Sequence, residues 1–100
     1  MFYIYILYSS SADKYYVGHS NDPIRRLEEH NNNPRNTFTK KFGPWEIKAF
    51  FKVHENRGDA MKIEKYIKKQ KSRLFIERLL NEPDFFELIA QLVRVPIDRD

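Results

Sequence analysis

An α+β domain is what the 100-residue sequence predicts: a small three-stranded antiparallel sheet flanked by helices, in the order β-β-α-β-α-α-α. Three observations carry that expectation. Aromatic and β-branched residues crowd into FYIYILYS, KYYVG and WEIKAFFKV, each bounded by turn-forming residues, while apolar residues beyond Asp59 recur at helical spacing. Three strands cannot bury themselves from both sides, so helices must cover the sheet.

The first two strands read as a hairpin across Ser9 to Asp13. Asp22 then starts a helix, with a side-chain acceptor at the N-cap and Pro23 at the first helical position, where a missing N–H costs nothing. That helix should run to about Asn31 and stop in NNNPRNT, because Asn favours turns and Pro34 restricts the residue before it. WEIKAFFKV, after Gly43-Pro44, is the third strand. Asp59 can cap the next helix, which places Ala60, Ile63 and Ile67 on one face and lysines on the other. Ser72 caps a short helix carrying Phe75, Ile76, Leu79 and Leu80, and Pro83 opens a last one with Phe86, Ile89 and Val93 inside.

Composition narrows the function classes. Hydrophobic residues make up 41% of the chain, enough for one core, and the absence of cysteine excludes disulfides, thiolate catalysis and Cys-ligated zinc. The run MFYIYILY has no basic segment before it and is far shorter than a membrane span, so no membrane partner is expected and the cytoplasm is the expected compartment. Charge is unevenly spread. Residues 57–78 hold eight basic and three acidic residues, a local +5, whereas residues 81–100 hold two basic and five acidic, a local −3. The basic run is either a solvated helix face or a phosphate-facing surface.

Three groups of residues are candidates for chemistry. Arg26 and His30, four apart, share a helix face, while Ile24, Leu27 and Asn31 point elsewhere. Arg26 can face an anion, or both Arg25 and Arg26 can simply pair with Glu29 and leave His30 to complement the helix dipole. Glu64 falls between Ala60 and Ile67 on the helical wheel, beside the apolar stripe, where a carboxylate needs a cation. Lys68 at i+4 is the plain partner, and a hard ion such as Mg²⁺ is the functional one. Among the tyrosines, Tyr3, Tyr8 and Tyr15 read as aromatic packing. Tyr5 and Tyr16 stand apart from them, and Gly18 marks a tight turn or a close approach.

In this order, Tyr3-Ile4-Tyr5, Tyr16-Val17-Gly18, Arg26, His30 and Glu64 within AMKIEKYIKK resemble the GIY-YIG nuclease family, in particular its small stand-alone bacterial members and the excision-repair endonucleases. The resemblance implies the GIY-YIG endonuclease fold over residues 1–80, with residues 81–100 as a helical extension packed on or beside it. It further implies a metal-dependent hydrolase of phosphodiester bonds with a Mg²⁺ or Mn²⁺ cofactor held by Glu64, acting on DNA, or less readily RNA, in a process such as DNA repair. Arg26 would offset charge growing on the phosphate, and Tyr16 would orient or deprotonate the attacking water, supported by Tyr5 and His30. A phenol ordinarily titrates at about 10, so a tyrosine acting as a base needs positive charge nearby, and Arg26 and the metal are the candidates. Arg25, Lys40, Lys41 and Lys68 are the expected nucleic-acid contacts, although Lys40 and Lys41 read equally well as solvated lysines.

The sequence departs from the family pattern at three points. Tyr3 replaces the first glycine. His19 stands where relatives often carry a small or basic residue, and either extends the site or caps the loop. Asn81 is the one nearby candidate for a late asparagine. With no room for a separate recognition domain, cutting should be structure-specific or weakly specific. The alternative is a nucleic-acid-binding or adaptor domain with the same fold and little intrinsic cleavage.

Overall fold

A computed structural model describes residues 1–32 and 41–97 of the chain. Strands β1 (Tyr3–Ser9), β2 (Lys14–Ser20) and β3 (Glu46–Lys52) form the sheet, with helices α1 (Pro23–Asn32), α2 (Arg57–Lys69), α3 (Arg73–Asn81) and α4 (Phe85–Leu92) around it. The order matches the expectation from sequence. The sheet is antiparallel in the order β2-β1-β3, so β1 is central and β2 an edge.

Burial explains why β1 reads as an almost unbroken apolar run. Ile4, Tyr5, Ile6 and Leu7 are all buried, because each face of the central strand is covered. Ile4, Ile6 and Val17 pack with Ala60, Ile63 and Ile67 of α2, Leu79 of α3 and Phe86 and Ile89 of α4. Tyr5 and Leu7 face the other way, into a smaller cluster with Trp45, Tyr16 and Leu27. A register shift between Ile6 and Leu7 lets Ile47 pair with Leu7 and Ala49 with Ile6, which keeps Ile47 on the Tyr5 side.

Local signals worked at some helix ends and failed at others. Asp22 caps α1 through Oδ1, which accepts from Arg25 N at 3.1 Å, and Ser72 caps α3 by accepting from Phe75 N at 3.1 Å. Asp59 does not cap α2. The helix begins two residues earlier, and Asn56 Oδ1 accepts from Gly58 N at 2.7 Å, which leaves Asp59 in the first turn facing Lys62. Likewise α4 starts at Phe85 with Asp84 at its N-cap, two residues beyond Pro83. The stop assigned to Pro34 lies outside the described residues, as does Lys40.

Ile24, on the side of α1 away from Arg26, does not join the core and is 53% exposed. At about 100° per residue it lies roughly a quarter turn from the direction shared by Pro23, Leu27 and His30. Among the described residues no helix is long and apolar enough to cross a membrane.

Candidate active site

Strand alternation distributes the site across the sheet. Along β2, Tyr16 and Gly18 face α1, whereas Val17 and His19 face α2. Because β2 is the edge strand, side chains from both faces can meet around it.

On the α1 face, Tyr5 is 1% exposed and its hydroxyl lies 2.9 Å from His30 Nε2. The ring of Tyr16 sits 4.7 Å from that of His30 and 6.4 Å from that of Tyr5. Gly18 is the Cα partner of Tyr5, and a Cβ there would collide with the Tyr5 hydroxyl and ring. Its φ is not positive, so close approach, not a tight turn, requires glycine at this position. Asn31 anchors the end of α1: Oδ1 accepts from Trp45 N at 2.7 Å and Nδ2 donates to Trp45 O at 3.1 Å.

His30 is therefore not a solvated group at a helix end. It is fully buried, and burial first, then the positive charge of Arg26, lowers its pKa to about 4, which makes the imidazole neutral at neutral pH. Burial likewise raises Tyr5 to about 12 against an opposing hydrogen bond from Arg26, so this phenol stays protonated. Tyr5 and His30 thus meet at 2.9 Å as two neutral groups, with the Arg26 guanidinium near enough to the phenol to oppose part of that rise. Arg26 also pairs with Glu29 at 3.3 Å, so the plain helical pairing and the site contact coexist.

On the α2 face, Glu64 is only 20% exposed and uses both oxygens: Oε1 meets His19 Nδ1 at 2.8 Å and Oε2 meets Lys68 Nζ at 3.1 Å. Lys68 links the two faces, since its ammonium also stands 5.1 Å over the Tyr16 ring. Lys68, a residue expected to touch nucleic acid, thus brings a positive charge to Tyr16. Two clefts flank this junction. One, of about 520 Å³, is lined by Arg25, Arg26 and Arg57, and the other, of about 510 Å³, by Glu64, Met61 and lysines; His19 lines both.

Of the other expected residues, Arg25 is 59% exposed, hydrogen-bonds Asn21 at 3.2 Å and pairs with Glu29 at 3.7 Å. Lys41 is exposed, its ammonium 5.6 Å over the Phe42 ring. Asn81 is the exposed last residue of α3. His19 as the partner of Glu64, and Arg57 donating to His19 Nε2 at 3.4 Å, were not read from sequence. Alternation with Val17 was the available signal for His19.

A divalent cation fits the residues present. Mg²⁺ takes one or two carboxylates and keeps several waters, and Glu64 offers one carboxylate on an open cleft. Among the described residues there is no cluster of three or more His, Asp or Glu side chains, so the protein would supply few of the ligands. His19 or Lys68 would have to yield an oxygen.

The chain is similar to known proteins. The curated relatives include a UPF0213 protein of Aeromonas salmonicida, 37% identical over 78 residues, which cover 78% of this chain and 56% of that protein. A UPF0213 protein of Clostridium perfringens is 32% identical over 89 residues, covering 85% of this chain and 94% of the relative. Another, from Aeromonas hydrophila, is 33% identical over 82 residues, covering 82% and 58%. The chain therefore spans little more than half the length of the two Aeromonas relatives and nearly all of the Clostridium one. Residues 1–78 match the model of the GIY-YIG catalytic domain, and the chain belongs to that family.

Proposed function

We propose that the protein is a metal-dependent endonuclease that hydrolyses phosphodiester bonds in DNA. The observation that carries this reading is the convergence of Tyr5, Tyr16, Arg26 and His30 from one side of the sheet with Glu64 from the other, joined around the β2 edge by Lys68. Arg26 is a third exposed and lines the arginine cleft, so its guanidinium faces a phosphate entering there and offsets the charge that grows on it. Tyr5 and His30, both neutral and buried, hold Arg26 and the Tyr16 ring in place.

Tyr16 orients the attacking water or takes its proton, with the Lys68 ammonium 5.1 Å over its ring. Glu64 would hold Mg²⁺ or Mn²⁺, which supplies Lewis acidity at the scissile phosphate. No side chain needs to become covalently attached. Exposed Arg25 and Lys41 add sequence-independent attraction for the backbone, which suits structure-specific or weakly specific cutting, as in DNA repair.

The test is cleavage of branched, flapped, single-stranded and duplex DNA with and without Mg²⁺. Glu64→Ala and Arg26→Ala should each lower the rate by about 100-fold or more. Equal cutting by wild type and Glu64→Ala would remove the mechanism.

One observation favours a second reading. Both Glu64 oxygens are already paired with His19 and Lys68, as expected of an adaptor domain that binds nucleic acid without cutting it. Salt-sensitive binding that survives Glu64→Ala, with cleavage absent under every metal, would support that reading.

A further inference from the structure

Arg26 lines one cleft, Glu64 lines the other, and His19 is common to both. If one phosphate is to reach Arg26 and a cation at Glu64 together, the strand has to cross at His19, with a neighbouring nucleotide entering each cleft. The two clefts differ in chemistry. The first is polar and rich in arginine, which suits the sugar-phosphate chain. The second is lined mainly by carbon, from Gly58, from Met61, which is 51% exposed, and from the stems of Lys62, Lys65 and Lys68.

We propose that this second cleft is a subsite for an unpaired nucleobase of a DNA strand, next to the scissile phosphate. It rests on the nuclease reading and extends it to the form of the substrate. An apolar floor bordered by three lysines, of which Lys62 and Lys68 also pair with Asp59 and Glu64, matches an anionic strand carrying a flat apolar base. A base inside a duplex has both faces stacked and cannot lie on Met61, so the strand on this side of the cut must be unpaired, as in a flap, a bulge or a single strand.

The test is fluorescence anisotropy with the full chain in EDTA, where cutting does not interfere. The probes are a single-stranded DNA oligonucleotide, the same strand with abasic residues, its duplex, and the RNA equivalent. Met61→Ser should weaken the base-bearing strand by about three- to tenfold while leaving the abasic strand unchanged. Lys65→Ala should weaken both strands alike and reduce the salt slope by about one.

The subsite is overturned if Met61→Ser affects both strands equally or neither, if duplex binds as tightly as single strand, or if RNA binds more tightly than DNA. Cleavage in Mg²⁺ without base discrimination would sink the subsite alone. Discrimination without any cleavage would sink hydrolysis alone.

Discussion

The Tyr5 hydroxyl and His30 Nε2 are 2.9 Å apart, 25 residues distant in sequence and both buried, with the Arg26 charge acting on both. The central strand and the first helix are thereby tied into one unit beside the cation that faces the cleft. Losing any member should disturb the others.

Acid should loosen this unit in a defined window. His30 in the fold takes up a proton only near pH 4, whereas in the unfolded chain it does so at its ordinary 6.5. The unfolded state therefore binds more protons in between, so the contribution is complete above about pH 6.5 and is lost as pH falls toward 4, by up to about 3 kcal/mol. Urea unfolding at pH 7.5 and 4.5 should show this loss in the wild type and a much shallower one in His30→Gln. Parallel pH dependences would refute the assignment.

Gly18→Ala puts a methyl group into the Tyr5 ring, which is buried and has no open space to enter. Overpacking of this kind costs about 1–3 kcal/mol. Cleavage should fall with stability, and Gly18→Ala with Tyr5→Leu should recover part of the stability while cleavage stays low. Thermal melts and nuclease assays on the single and double variants decide it.

The two capping candidates of α2 separate cleanly. Asn56→Ala removes the acceptor for Gly58 N and should cost about 1 kcal/mol, while Asp59→Ala should cost less, since it removes only a first-turn charge 3.8 Å from Lys62. Equal midpoints in urea for the two variants would mean that the helix starts elsewhere.

Arg26→Lys should be nearly as inactive as Arg26→Ala. The guanidinium pairs with Glu29 and still faces the cleft, and a single ammonium cannot present the same planar fork to a phosphate. A kcat within about tenfold of wild type in Arg26→Lys would show that charge alone suffices at this position.

Aromatic and β-branched runs bounded by turn residues, the Asp22 and Ser72 caps and the apolar stripe of α2 are local properties, and they made the element order and the covered sheet legible. The paired tyrosine tripeptides, Arg26, His30 and Glu64 were visible as a set by resemblance. The environments of those residues were not. Whether His30 is a solvated cap or a neutral buried group depends on Tyr5 and Tyr16 packing against it, and burial is not written in the four-residue spacing from Arg26. Ile24 shows the same limit from the other side, because an apolar residue on the helix is 53% exposed where the packing leaves it uncovered. Above all, the pairing of His19 with Glu64 joins residues 45 apart through the α2 face of an edge strand, and only the packing of α2 on β2 could decide that contact.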